Sequence, residues 1–299
     1  MKDLGKILTY FFGVIILGAL LAPPLYWAGQ AVAARGVLEF LGEVQFQKYF
    51  NRGALIAAIV LLWPTIRWLK IPGVRELGIE PDALWVKRLL AGFVIAGVLV
   101  FALGVVYVYF DIYRWKSGRL AWGRLPSIML SAVAVSLVEE TLFRAGMLGL
   151  FLRSLSARAA ILWTSIIFAA VHFLKPDDEV VVAKVDWLTG FELIPHTFYQ
   201  FSEPTMLMAG FTIHLVLGLM LADVTIRTRS LWMAIGLHAG VVFSKMSFSK
   251  FTKREEAYLP WVGESLEIGL VPVGVLSFVW LLAHLWLRYV DRPSLPPRS

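Results

Sequence analysis

The sequence predicts an all-α polytopic membrane protein with about eight transmembrane helices, and three observations lead to this fold class. Of the 299 residues, 59% are hydrophobic and only 16% are charged, and the mean hydropathy is +0.72. Average soluble chains carry roughly 25% charged residues, so the surplus of apolar residues predicts a surface that faces lipid. Apolar runs of about 20 residues recur along the chain, which is the length needed to cross the hydrocarbon of a bilayer. No long polar stretch remains for a soluble domain.

Eight apolar runs are the candidate membrane helices. Five are long enough to span the bilayer: Ile7–Gln30, Leu89–Phe110, Ile128–Phe151, Met206–Ile226 and Ile268–Leu287. Three are shorter, which is typical of helices buried among others: Gly53–Leu69, Ala159–Phe173 and Leu231–Phe248. The first run follows basic residues as in a signal peptide, but it is long for a signal sequence and predicts an uncleaved helix.

The runs divide the chain into three parts. Residues 1–86 hold the N-terminal membrane helices, with predicted interfacial segments at 32–50 and 74–85. Residues 87–290 form the predicted membrane core. The proline- and arginine-rich tail 291–299 is predicted to be disordered.

Charge predicts the membrane orientation and excludes some functions. The net charge is +7 and there is no cysteine, which excludes disulfides and thiol catalysis. Nucleic acid is not an expected partner, because the basic residues are scattered between apolar runs. Eight crossings place both termini on one side, and the excess of Lys and Arg in the loops favours the cytoplasmic side of a bacterial inner membrane. Arg114 and Lys253 are among the basic residues that do not fit this orientation.

Two adjacent glutamates and an arginine lie inside the third long run. Ionisable groups in a membrane helix cost on the order of 2.5–3.5 kcal/mol each on insertion scales, so they persist only where the bundle uses them. Glu140 and Arg144 are four residues apart and are predicted to pair on one helix face. Glu139 points about 100° away and is left without a partner of its own. This asymmetry predicts a structural Glu140 and a Glu139 that acts as a general base. The alternative is that both acids only tie helices together.

Apart from His284, which is near the end of the last run, three of the five histidines lie in apolar helical runs: His172, His214 and His238. A single histidine in such a run is usually a hydrogen-bonded core residue. Glutamates and histidines spread over several helices are harder to explain in this way, because each carries its burial cost independently. A buried carboxylate and an imidazole can together position and deprotonate water, so the set indicates a hydrolytic site.

The order of these residues resembles that of the CAAX-protease and bacteriocin-processing family of intramembrane glutamic proteases. The resemblance covers about residues 83–242, and the glutamate motif inside a membrane helix is its most specific part. The matching residues, in chain order, are Glu139-Glu140-x-x-x-Arg144, Phe168-x-x-x-His172 and Gly-Leu-His238-Ala.

The resemblance implies an activity and a role for each residue. The implied activity is hydrolysis of a peptide bond in a membrane-associated peptide or protein, without a cofactor. Glu139 would be the base that activates water, assisted by His172. Arg144 would orient Glu140, and His238 would stabilise the oxyanion that forms at the peptide carbonyl.

One residue departs from the family pattern. The third motif of the family ends with Asn or Asp four residues after its histidine, and here that position is Val242, which cannot donate a hydrogen bond. Losing one oxyanion donor typically costs about 10²–10³ in rate. His214 and Lys245 are the candidate substitutes.

Other functions remain open on the sequence alone. The Val242 substitution favours a catalytically weak or inactive immunity or binding protein on the same scaffold. Glu139, His172 and His238 could instead bind zinc, which accepts this set of N and O donors. A proton-coupled transporter could also use buried Glu and His, but the chain has no internal repeat. The aromatic loop at 174–204 is predicted to be interfacial, with a substrate gate as the alternative.

Overall fold

The structure is a computed structural model that describes residues 2–70, 81–116, 122–174, 176, 180–256, 258–263 and 265–290. The tail 291–299 lies outside the described residues, and so does most of the predicted interfacial segment 74–85.

Eight long helices account for most of the described chain. They are α1 (Lys2–Ala34), α2 (Phe46–Trp68), α3 (Trp85–Tyr109), α4 (Leu125–Glu140), α5 (Ala157–His172), α6 (Thr212–Thr228), α7 (Trp232–Phe251) and α8 (Leu270–Val290). Each corresponds to one of the eight predicted runs, so the all-α polytopic fold is confirmed. Over the described residues, six helical stretches are long and apolar enough to cross a membrane, and α5 and α7 are not among them. A count of eight crossings is therefore not confirmed.

Helix α2 begins earlier than predicted, at Phe46 instead of Gly53. The first turns mix charged residues with apolar ones, which suggested an interfacial segment. Phe46, Tyr49 and Phe50 are nevertheless buried on one helix face. Tertiary packing of this face extends the helix beyond its apolar run.

One compact unit contains residues 1–72 and 170–207. Here α1 and α2 pack on each other and on the aromatic loop, whose Leu193 is buried among residues of both helices. The Gln47 side chain donates a hydrogen bond to the Val180 carbonyl, and Trp187 packs edge-on against Trp27. The loop thus packs with the N-terminal helices in one unit.

The second unit contains residues 73–169 and 208–299. Helices α3 and α7 form its closest packed pair. A Cβ atom at Gly92 would lie 2.7 Å from the Met233 carbonyl oxygen, so only glycine allows the two backbones to approach this closely. The Ser244 hydroxyl donates to the Gly97 carbonyl at 2.9 Å. Helix α7, which carries His238, is in this way held firmly against α3.

A short antiparallel ribbon extends α3 and α7 beyond their C-terminal ends. Strand β1 (Tyr113–Trp115) pairs with β2 (Thr252–Arg254), with Arg114 directly opposite Lys253. Three-residue strands rich in charge carry no alternating pattern, so this ribbon was not predicted. It joins two helices that are far apart in the sequence.

Candidate active site

The site begins where α4 changes its winding. After Glu140 the chain continues as a π-helix from Thr141 to Leu148 and ends in one α-helical turn, Gly149–Phe151. All residues of the π segment except Leu142 are buried. Insertions of π-helix within α-helices are rare and occur often at functional sites. The sequence did not indicate this change of winding.

Glu140 is the fully buried centre of the site. Its Oε1 atom accepts a hydrogen bond from Arg144 Nη1 at 3.2 Å and another from His238 Nδ1 at 2.8 Å. The predicted pairing of Glu140 with Arg144 is confirmed. Because a carboxylate only accepts hydrogen bonds, the proton lies on His238 Nδ1, and in the neutral ring the Nε2 atom carries the lone pair.

Arg144 connects the glutamate to two further helices. Its Nη2 group donates to the Gly218 carbonyl of α6 at 3.3 Å, and its guanidinium carbon lies 4.5 Å from the ring centre of Phe168 in α5. This distance suits a cation–π contact, which is stronger when the cation is desolvated. Phe168 also meets the His238 ring edge-on, with the ring centres 6.1 Å apart. The predicted supporting residue Phe168 therefore contacts both the Arg144 and the His238 side chains.

Glu139 lies on the other side of the same imidazole. Its Oε2 atom is 3.8 Å from His238 Nε2, which is longer than a direct hydrogen bond. The expectation that Glu139 has no partner of its own is wrong. Helix geometry within α4 separates the two acids correctly, but it gives no information about α7, which brings His238 close to both. The Glu139 side chain is 26% exposed and that of Glu140 is 0% exposed, so the two acids differ in access to solvent.

His172 and His214 are the other histidines that the sequence predicted for the site. His172 is the last residue of α5 and falls in the first compact unit. His214 lies at the start of α6, where its Nδ1 donates to the Gly210 carbonyl at 2.7 Å. His214 thereby bonds to the π-helical turn Leu207–Phe211 that precedes its own helix.

Val242 lies one turn after His238 on α7 and is partly buried. Lys245, one of the two candidate substitutes for the absent oxyanion donor, forms an ion pair with Glu267. This pairing directs the Lys245 ammonium to the segment before α8.

Sequence reasoning missed two residues of this site. Gly218 supplies the carbonyl for Arg144, and a Cβ atom there would lie 2.9 Å from the Cβ atom of Ser165 in α5. Ser136 is fully buried four residues before Glu140, and this spacing on one helix face was the signal that could have identified it. Within the described part of the chain, Ser136 Oγ, Glu140 Oε2 and Arg144 Nε are buried without a hydrogen-bond partner. The site therefore retains unused hydrogen-bonding capacity, which is uncommon in a protein interior.

The described residues contain no group of three or more His, Cys, Asp or Glu side chains arranged to hold a metal ion. Of the three residues considered for zinc, Glu139 and His238 approach each other to 3.8 Å, and the Nδ1 atom of His238 is already bonded to Glu140.

Comparison with known proteins agrees with the geometry. Residues 121–244 match the family described as "Type II CAAX prenyl endopeptidase Rce1-like". This segment includes α4, the π segment, α5, α6 and His238. No curated protein matches the chain. Residues 121–244 of this integral membrane protein are thus similar to the CAAX prenyl endopeptidase family.

Proposed function

We propose that the protein is an intramembrane endopeptidase that hydrolyses a peptide bond of a membrane-associated peptide or protein, with Glu139 as the general base. The observation that carries the proposal is the difference between the two acids. Glu140 is enclosed and bonded to Arg144 and His238, whereas Glu139 is partly exposed beside the same histidine. Of the two acids, only Glu139 has a side chain that is partly exposed to solvent.

The chemical step follows from this arrangement. Glu139 removes a proton from a water molecule as the water oxygen attacks the carbonyl carbon of the peptide bond. The carbonyl oxygen becomes an oxyanion in the tetrahedral intermediate. When the C–N bond breaks, the intermediate collapses to a carboxylic acid, and protonated Glu139 returns its proton to the amine that leaves.

His238 and Glu140 position the attacking water. The 3.8 Å separation between Glu139 Oε2 and His238 Nε2 is suited to a water that contacts both atoms, because polar groups at such distances are commonly bridged in this way. The Glu140 carboxylate keeps the proton on Nδ1, so the Nε2 lone pair faces the water. Arg144 fixes the position of Glu140 through the 3.2 Å contact between Nη1 and Oε1. With Nδ1 donating to Glu140, a neutral His238 has no second N–H, so the oxyanion-donor role that the sequence predicted for it would need a protonated ring. His172 as an assisting base remains a prediction from the sequence.

The reaction as proposed needs no cofactor, and zinc is the alternative. The two are separated by metal analysis of the purified protein and by its response to a chelator. We also propose that both termini face the cytoplasm of a bacterial inner membrane, as the distribution of basic loops favours.

A second function, binding without catalysis, is favoured by Val242. This side chain cannot donate to an oxyanion, and the nearby Lys245 is engaged by Glu267. An immunity or binding protein on this scaffold would retain the Glu140 cluster for stability and would not need Glu139.

The test uses the full chain in proteoliposomes with a mixture of quenched fluorescent peptides that carry an apolar segment. Glu139→Gln is expected to lower cleavage by about 10²–10⁴, the usual contribution of a general base. Glu43→Gln, a change of the same chemistry at an exposed position, should leave cleavage unchanged. If the wild type cleaves a peptide and Glu139→Gln cleaves it at the same rate, the mechanism is contradicted. Absence of cleavage by the wild type, in a preparation that stays folded, supports the binding function.

A further inference from the structure

The α3–α7 pair carries an apolar groove of about 750 Å³. Two residues of α7 line the groove, Phe243 and Ser244. The other lining residues form one stripe at helical spacing on α3: Phe93, Val94, Gly97, Val98, Phe101, Ala102, Val105 and Val106. The only side-chain hydroxyl in this lining, that of Ser244, is bonded to the Gly97 carbonyl. The groove therefore offers contact to hydrocarbon and almost no hydrogen bonding.

The dimensions of the groove match a lipid chain. From residue 93 to residue 106 an α-helix rises about 20 Å. One leaflet contributes about 15 Å, half of the hydrocarbon thickness. An acyl chain that enters at the membrane surface would thus lie along the groove over its full depth in that leaflet.

The basic ribbon lies at one end of this groove. Both α3 and α7 run toward the ribbon, so the groove ends one turn before α3 gives way to the chain that forms β1. Arg114 and Lys253 lie directly opposite each other across the two strands, and both are exposed. Like charges in this register destabilise a ribbon unless an anion lies between them.

The acids near the ribbon do not neutralise this pair. Asp111 is 4.0 Å from Arg114, and both side chains are largely exposed, so their attraction is weak. Glu255 and Glu256 follow Arg254 in the chain and are exposed as well. Trp115 in β1 and Trp122, three residues before α4, are also exposed, as is typical of the headgroup level of a membrane.

We propose that this groove and ribbon form a binding site for one anionic phospholipid. The phosphate lies between Arg114 and Lys253, where the guanidinium can donate two hydrogen bonds to it. One acyl chain lies in the groove along α3. One bound lipid then explains both the two like charges that face each other across the ribbon and the continuous apolar stripe on α3.

The test is native mass spectrometry of the full chain, released from detergent micelles and titrated with phosphatidylglycerol or phosphatidylcholine of the same chains. Phosphatidylglycerol is expected to bind at least tenfold more tightly, and to weaken as ionic strength rises. The double variant Arg114→Gln/Lys253→Gln should lose this preference. Its matched control, Arg153→Gln/Arg158→Gln, removes the same charge from exposed positions around the start of α5 and should keep the preference.

A second pair of variants tests the groove. Val98→Trp fills it and should weaken binding of phosphatidylglycerol, whereas Leu90→Trp, on an exposed part of α3 outside the lining, should not. Equal binding of the two lipids overturns the proposal. The proposal is also overturned if Arg114→Gln/Lys253→Gln keeps the preference for phosphatidylglycerol, or if Val98→Trp binds phosphatidylglycerol as the wild type does. A loss of dimers in the Val98→Trp spectra would show that a second copy covers the groove, which also overturns it.

Discussion

His238 and Glu140 are 98 residues apart in the sequence, and their side chains are joined by a hydrogen bond of 2.8 Å within the protein interior. This bond connects α7 to the end of α4. Together with Arg144 it encloses a carboxylate that would otherwise be strongly unfavourable in a membrane. The predictions below test what this enclosure does.

The first prediction concerns the Glu140–Arg144 pair. Arg144→Gln leaves a buried carboxylate with one charged partner fewer, and should lower the free energy of unfolding by about 3–5 kcal/mol. Glu140→Gln/Arg144→Gln should cost less than the sum of the two single changes, because neither charge is then left alone. The measurement is denaturant unfolding in detergent micelles.

A second ion pair of the same spacing is the control for this prediction. Arg227 pairs with Asp223 at 2.8 Å, and its side chain is half exposed. Arg227→Gln should cost no more than about 1 kcal/mol, as exposed pairs do. If Arg144→Gln lowers the free energy of unfolding as little as Arg227→Gln does, burial of the Glu140–Arg144 pair contributes little to stability.

The second prediction concerns Gly218, where α6 contacts α5. Gly218→Ala introduces a methyl group against Ser165 and should lower the free energy of unfolding by about 1–3 kcal/mol, the usual range for overpacking. It should also reduce cleavage, because the carbonyl that holds Arg144 moves. Gly149→Ala is the matched control, since a Cβ atom there meets no other atom within 4 Å. Equal effects of the two alanines would contradict the close contact.

The third prediction concerns Val242. If an absent oxyanion donor limits the rate, Val242→Asn should raise cleavage by about 10²–10³. Val242→Leu adds volume but no donor and should give no gain. A rate that Val242→Asn leaves unchanged would indicate that another group already stabilises the oxyanion.

The fourth prediction concerns Asp186 in the aromatic loop. Its carboxylate accepts hydrogen bonds from the Leu188 backbone N–H and from the Thr189 hydroxyl and N–H, and these bonds hold the pKa of Asp186 below its usual value of about 3.9. A carboxyl with a lowered pKa stabilises the fold fully above its unfolded value. That contribution is lost as the pH falls through the lower folded value.

Asp186→Asn should therefore speed hydrogen exchange of the amides at 188 and 189 at neutral pH. Once the pH has fallen below the folded pKa of Asp186, variant and wild type should exchange at the same rate at these amides. Slow exchange in the variant at neutral pH would show that the charge of Asp186 does not hold the turn.

The local parts of this site could be predicted from the sequence. The eight helices follow from apolar runs, and the Glu140–Arg144 pair follows from a spacing of four residues on one helix. The position of His238 beside both glutamates could not be predicted, because it depends on how α7 packs against α4. Gly218 could not be predicted either, because it contributes through its backbone carbonyl. The ribbon could not be predicted because its charged residues indicated loops, and these loops did not fit the predicted membrane orientation.

The spacing of the pair within α4 has a consequence for how the protein is made. Arg144 follows Glu140 by one turn, so this charge is matched within the nascent helix itself. His238 comes 98 residues later, and at about 5–20 residues per second the ribosome needs roughly 5–20 seconds to reach it. During that interval α4 can enter the bilayer with Glu140 neutralised, while Glu139 still lacks its imidazole. Glu139, the proposed general base, is therefore the last of the two acids to be accommodated, and the proposed site is completed only when α7 arrives.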